Sequence, residues 1–236
     1  MSKSQSNIGY MDDSFPYEMV LILDRLTLTG RVIVDEVNKL AGRHCALHAL
    51  NIATLREVII SPVMRRKNIL VIAELSTDFD SIHDGFNFLD ELTCLSAIIG
   101  RHRCMVYTAL REPLLLQAIV DKQPDAIVRR DESMSVFRKS LQSVCAKSRH
   151  TLMSPAVSSA LQENDVRKLS PRELLWVLMQ LNDSSLSGVA RRLHRSEKTV
   201  STHRRAVAER LGLQNSLEIN RWLGQIQDSM GSHRRI

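Results

Sequence analysis

Between residues 18 and 147 the apolar positions follow two rhythms. Short unbroken runs, "MVLIL" (19–23), "ILVIA" (69–73), "CMVYT" (104–108) and "DAIV" (125–128), predict buried strands. Between them the spacing widens to that of a helix. Residues 28–42 place Leu28, Ile33, Val37 and Leu40 on one side and stop at Gly42. Residues 84–100 do the same with Phe88, Leu89, Leu92, Leu95 and Ile99, ending at Gly100. Residues 111–123 carry Pro113 in a first helical turn, and residues 132–147 turn Val136, Leu141 and Val144 inward. The stretch from "HCALHAL" to "LREVII" holds one further strand and helix, without marked edges. Strand and helix units in alternation, with continuous apolar strands, predict an α/β flavodoxin-like domain over 18–147, its parallel sheet covered on both faces. In that fold chemistry gathers at the C-terminal ends of the strands. The residues there are Asp24 and Arg25, Glu74, Thr108, and Arg130, or Arg129 if the register slips.

The rhythm then changes. Residues 148–167 are rich in Ser, Asn and Asp and predict a linker, with room for one short helix after Pro155. Residues 169–227 are helical in pattern, within an all-α helix-turn-helix domain over 168–236. Ser170, Pro171 and Glu173 make a capping box with a proline in the first turn of helix one. "SLSGVARRLH" is helix two. Ser196 caps helix three, "EKTVSTHRRAVAERLG", which Gly212 stops. "NSLEINRWLGQI" is helix four, with Ile219, Trp222, Leu223 and Ile226 on one face. Only "HRS" separates helices two and three, the tight connection of a helix-turn-helix. The polar start, residues 1–17, predicts a flexible arm and no secretory signal.

Charge sharpens the division. Residues 168–236 hold 12 Lys and Arg against 6 Asp and Glu, whereas residues 1–167 are balanced at 20 each. A neutral module is thus joined to one that meets a polyanion. In helix three, Val200, Val207 and Leu211 face inward, with Ala206 and Ala208 beside them. The opposite side presents Lys198, Ser201, Thr202, Arg204 and Arg205, with His203 at the boundary. Short polar and cationic groups opposite a buried stripe suit the DNA major groove, where Arg and Lys reach guanine or phosphate and Ser and Thr reach either.

Other chemistries find little support. Cys45, Cys94, Cys104 and Cys145 show no metal-ligand spacing and fit buried thiols in a reducing compartment, which predicts a cytoplasmic protein. His44, Cys45 and His48 lie close together but lack further ligands, so no metal is expected. No apolar run approaches a membrane span of about 18 residues. A Gly-rich phosphate loop and a nucleophile elbow are both missing, so neither a cofactor nor catalysis is expected. The remaining alternative is a protein-interaction module that modulates another regulator without touching DNA.

Residues 169–223 resemble the C-terminal domain of LuxR-type regulators, through "LSPRE", "VARRLHRSEKTVSTH" and "RLGL". That resemblance implies that helix three enters the groove and helix four dimerises. It also makes Lys198, Thr199, Ser201, Thr202, His203, Arg204 and Arg205 the contact positions. Asp183, Ser201 and Ala206 depart from the usual glycine, lysine and asparagine, which bears on the sequence read. The N-terminal half resembles the receiver domain of NarL/FixJ response regulators, and among them the RcsB-like subset and its accessory partners. A working receiver carries an acidic pair after strand one for Mg²⁺, a phospho-accepting Asp after strand three, a Thr or Ser after strand four and a Lys after strand five. Here those places hold Asp24 and Arg25, Glu74, Thr108 and Arg130. Mg²⁺ needs several carboxylate oxygens, and Arg25 removes one. Glu74, one methylene longer than Asp, is either a decayed acceptor or a partial imitation of a phosphorylated aspartate, paired with Arg25 or Arg130. Asp78 is an alternative acceptor. The resemblance thus implies a pseudo-receiver that works without phosphorylation, binding double-stranded DNA as a homodimer or as a heterodimer with an RcsB-like regulator.

Overall fold

The computed structural model describes residues 15–75, 80–95, 102–146, 150–162, 168–182 and 185–231. Four strands arise where apolar runs were expected, β1 (Met19–Leu23), β3 (Ile69–Ala73), β4 (His102–Thr108) and β5 (Ala126–Arg129), and β2 (Ala46–Ala49) lies in the stretch whose edges the sequence does not mark. A sixth, β6 (Leu152–Met153), joins them in one parallel sheet of order β2-β1-β3-β4-β5-β6. Both faces of the central strands are buried. Val20, Ile22, Leu70 and Ile72 point to one apolar layer, and Leu21, Leu23, Val71 and Ala73 to the other. Two-sided burial is why these strands read as unbroken apolar runs rather than alternating ones.

The first layer contains α1 (Thr27–Ala41) and α5 (Met134–Cys145). The second contains α2 (Ile52–Ile60), α3 (Ile82–Leu95) and α4 (Pro113–Asp121). Gly42 ends α1 with φ of 64°, the left-handed stop expected of it. Two facing assignments change. Leu28 is 78% exposed, since five residues of helix rotate it about 140° from Ile33. In α5 the inward set is Phe137, Leu141 and Val144, and Val136 is only partly buried. Ile99 and Gly100 lie outside the described residues.

The two boundaries of this domain also move. Tyr17, assigned to the arm, is buried; its hydroxyl donates to the Val144 carbonyl at 3.2 Å and its ring meets Phe15 edge-on. Residues 148–167 hold more than a linker: α6 (Pro155–Gln162) is the short helix expected after Pro155, and β6 precedes it. The Leu152 and Ser154 amides donate to Asp125 and Ile127 at 2.9 Å, and Val157 is buried on the sheet. A two-residue strand is too short to show a period, so only a composition signal was available there.

Gly85, in the first turn of α3, lets that helix approach the end of β3. A Cβ there would lie 2.0 Å from the Leu75 carbonyl oxygen. Gly85→Ala therefore forces backbone apart and should cost about 1–3 kcal/mol, measured as a lower urea midpoint with unchanged slope.

The C-terminal domain packs α7 (Pro171–Asn182), α8 (Leu186–Arg192), α9 (Glu197–Leu211) and α10 (Ser216–Gly231). Its core joins Leu178 of α7, Val189 of α8, Val200 and Val207 of α9, and Ile219, Leu223 and Ile226 of α10. The capping box closes as expected: Glu173 accepts from the Ser170 amide at 2.7 Å, and Ser170 accepts from the Glu173 amide at 3.4 Å. One extra feature appears in α7. Trp176, Val177, Leu178, Gln180 and Leu181 are all buried, a covered surface wider than a single stripe. It packs on α8, α9 and α10, and also on α3 of the other domain.

Candidate nucleic-acid interface and the acid pocket

Helix α9 begins where Ser196 takes an extended backbone and its hydroxyl accepts from the Thr199 amide at 3.2 Å. The turn before it bends through His194, whose φ is +49°, and Leu193 belongs to that turn. Valines 200 and 207 fix the inward side, so the rest of the helix faces away. Lys198, Thr202 and Arg205 are exposed there; Thr199, Ser201, His203 and Arg204 are half-buried.

The polar groups divide by their local commitments. The Thr202 hydroxyl donates back to the Lys198 carbonyl at 3.0 Å, and the Thr199 and Ser196 hydroxyls meet at 2.9 Å. Arg204 turns toward α10, donating to the Ser216 carbonyl at 3.3 Å and to Asn220 Oδ1 at 2.9 Å. It therefore serves the joint between α9 and α10, a role that periodicity could not reveal. Arg210 is similarly used, at 3.1 Å from Glu173. Lys198 and Arg205 are the outward cations of the helix. Arg191, Arg192 and Arg195, exposed at the end of α8 and in the turn, extend this basic surface. Their signal was present in the charge count, although they were not among the expected contacts.

A second cluster sits at the C-terminal ends of β1, β3, β4 and β5. Asp24, Glu74 and Thr108 are buried, and the Arg130 side chain is 8% exposed. Arg130 pairs with Asp24 and lies 3.4 Å from Glu74 Oε2. Glu74 Oε1 accepts from the Thr108 hydroxyl and the Leu75 amide, both at 2.8 Å, and Oε2 accepts from the Ala109 amide at 3.0 Å. Asp24 Oδ1 accepts from the Leu26 amide at 2.8 Å. The Arg130 guanidinium also lies 5.5 Å from the centre of the Tyr107 ring. Burial pushes the Glu74 carboxyl above its usual range, against the pull of Arg130, Thr108 and the two amides.

Arg130, rather than Arg129, is thus the cation of the pocket; Arg129 pairs with Asp131. Arg25, expected in the same cluster, lines one small cavity with Glu74 and Arg130, and its guanidinium also donates to the Met230 carbonyl of α10 at 3.5 Å. The pocket does not suit Mg²⁺. Arg130 occupies the space between its carboxylates, whose oxygens already accept from amides, a hydroxyl and the guanidinium. Asp78 and Asp183 lie outside the described residues. His48, once grouped with His44 and Cys45, bonds the Asp24 carbonyl at 2.8 Å and lies over Gly30. Among the described residues, no group of three or more His, Cys, Asp or Glu side chains could hold a metal. No described helix is long and apolar enough to cross a membrane.

Residues 167–223 match the family model described as bacterial regulatory proteins, luxR family. The chain carries a LuxR-type regulatory domain. That domain, with α9 as the second helix of its helix-turn-helix, supports a DNA-binding transcription regulator. No curated protein matches the sequence. Solved structures share the fold at low identity. RcsB from Salmonella enterica serovar Typhimurium bound to promoter rprA with the phosphomimetic BeF3⁻ aligns with a TM-score of 0.65 at 17% identity, covering 91% of this chain and 98% of RcsB. The same protein bound to promoter P1flhDC gives 0.63 at 18%, covering 89% and 100%. Two RcsB dimers bound to two parallel DNAs give 0.55 at 18%, covering 89% and 99%. At such identity the likeness shows the fold alone, from the flavodoxin-like sheet to the helical domain.

Proposed function

We propose that this LuxR-type regulator reads duplex DNA with α9, acts without phosphorylation of its receiver-like domain, and works as a homodimer or as a heterodimer with a related regulator. The observation that carries the reading is the capped α9, with its valines inward and Lys198, Thr202 and Arg205 exposed. Ser201, Thr199 and His203 border that surface, and Arg191, Arg192 and Arg195 extend it toward phosphates on either side. RcsB, which shares the fold, is bound to promoter DNA in two of the structures above and, as two dimers, to two parallel DNAs in the third. That supports a dimer on DNA for this chain. The exposed basic face favours a DNA reader over a module that only sequesters another regulator.

Independence from phosphate rests on Glu74. Its oxygens hold the Thr108 hydroxyl, two backbone amides and the Arg130 charge. A phosphoryl group on a shorter acceptor would need just such donors. The longer carboxylate takes them permanently, with one negative charge where a phosphate has nearly two. Cytoplasmic action follows from this reading. Incubation with acetyl phosphate and Mg²⁺ should leave the intact mass unchanged; a stoichiometric phosphoryl adduct would remove this part of the proposal. A gel shift with the protein alone, then with a related regulator added, separates homodimer from heterodimer.

A further inference from the structure

We infer that the N-terminal edge of the sheet, at the opposite end from the acid pocket, is a docking surface for a partner polypeptide segment in which carboxylates alternate with apolar side chains. The inference does not depend on which DNA α9 reads.

A parallel sheet returns each crossover helix to its N-terminal edge, so the loops after α1 and α2 meet there. Backbone pairing places both beside β1. The Glu18 amide donates to the Asn68 carbonyl at 2.9 Å, and the Val20 amide to the Cys45 carbonyl at 2.8 Å. The loop after α2 presents Arg65, Arg66 and Lys67 in succession, and the loop after α1 adds Arg43. The three arginines are exposed and Lys67 is half-buried. Arg65, Arg66 and Lys67 pair with no carboxylate among the described residues. Arg43 donates to the Tyr17 carbonyl at 2.7 Å, a bond that leaves its charge unanswered. Glu18, beside them, gives one carboxylate oxygen to the Asn68 amide at 3.0 Å. Elsewhere in this domain Arg56, Arg103, Lys122, Arg129 and Arg138 each meet a carboxylate. Unpaired like charges gathered at one edge repel, and a partner of opposite charge relieves them.

The loop is shaped before anything binds. Arg66 takes φ of 64°, a left-handed turn, and the Lys67 amide donates to the Met64 carbonyl at 3.2 Å. Met64 itself is buried and anchors the loop. A preformed loop loses little freedom on docking.

Two apolar side chains accompany the cations and decide the class of polyanion. Ile60, at the end of α2, and Val63, in the turn Pro62–Met64, are 57% and 68% exposed. A phosphate backbone gives them nothing to bury against. Single-stranded bases would want an aromatic platform, and Tyr17, the ring at this edge, is buried. A polypeptide with carboxylates around apolar residues answers both the charge and the apolar surface.

Fluorescence anisotropy on the full chain at low salt tests this, with a labelled synthetic peptide of repeated Glu-Glu-Leu units and polyglutamate of equal length as probes. Wild type should bind the Glu-Glu-Leu peptide about five-fold more tightly than polyglutamate. R65A/R66A/K67A should bind it about ten-fold more weakly, the loss expected for three exposed charge contacts. I60S/V63S should bind the two probes alike. K198A/R205A, altered on the DNA-reading helix, should bind both as wild type does. If circular dichroism shows the triple variant to be unfolded, R65A/R66A is measured in its place. No binding by wild type, equal binding of the two probes, or undiminished binding by the arginine variants would overturn the inference. So would a flatter salt dependence of duplex binding in R65A/R66A/K67A, since the edge would then belong to DNA.

Discussion

Arg130→Ala should cost about 3–5 kcal/mol of stability, the typical loss when one partner of a buried ion pair is removed. The size follows from what stays behind. Asp24 and Glu74 are 1% and 5% exposed, and Arg130 is the cation that meets both. Without it, two carboxylates share a site of low polarity with only amides and a hydroxyl to hold them. One carboxyl would have to take up a proton, and Glu74 is already biased toward doing so. Urea unfolding followed by circular dichroism checks this. A surface pair sets the scale: Arg56 and Glu91 are about half exposed, and Arg56→Ala should cost about 1 kcal/mol or less. Equal losses for Arg130 and Arg56 would mean that the acid pocket is open to water.

The second large effect concerns DNA. Lys198→Ala with Arg205→Ala should flatten the dependence of log K on log salt by about two units if both meet phosphate. Where either one reads a base edge, affinity falls by about 1–3 kcal/mol and discrimination relaxes at that position. Arg204→Ala should behave differently. Its guanidinium is committed to Ser216 and Asn220, so the expected result is a lower melting temperature with a nearly unchanged salt slope. Fluorescence anisotropy across a salt series distinguishes the two patterns. If Arg204→Ala flattens the slope as much as the double variant does, that side chain leaves α10 and joins the contact surface.

Much of the fold was legible because burial leaves a strong mark on sequence. Strands covered on both faces became apolar runs, and the caps Ser170, Ser196, Gly42 and Gly212 were spelled out locally. The acid cluster was legible for a topological reason: parallel strands bring their C-terminal ends together, so Asp24, Glu74, Thr108 and Arg130 meet despite distant positions. What escaped depended on contacts between elements. The strand β6 is held by its neighbour rather than by its own pattern, and Tyr17 is buried by α5. Arg204, expected to meet DNA, and Arg25, expected in the acid cluster, also bond α10, which no local pattern announces. One long-range signal does lie in the sequence. "LLWVLMQL" in α7 is apolar beyond a single stripe, the mark of a helix covered on both sides.

The central claim is that the outward face of α9 selects DNA sequence. Enrichment from a pool of random duplexes by the full-length protein, with and without a related regulator, tests it most directly. Wild type should recover a shared motif that K198A/R205A loses. Recovery of no motif under either condition, or of the same motif at equal strength by the double variant, would contradict it.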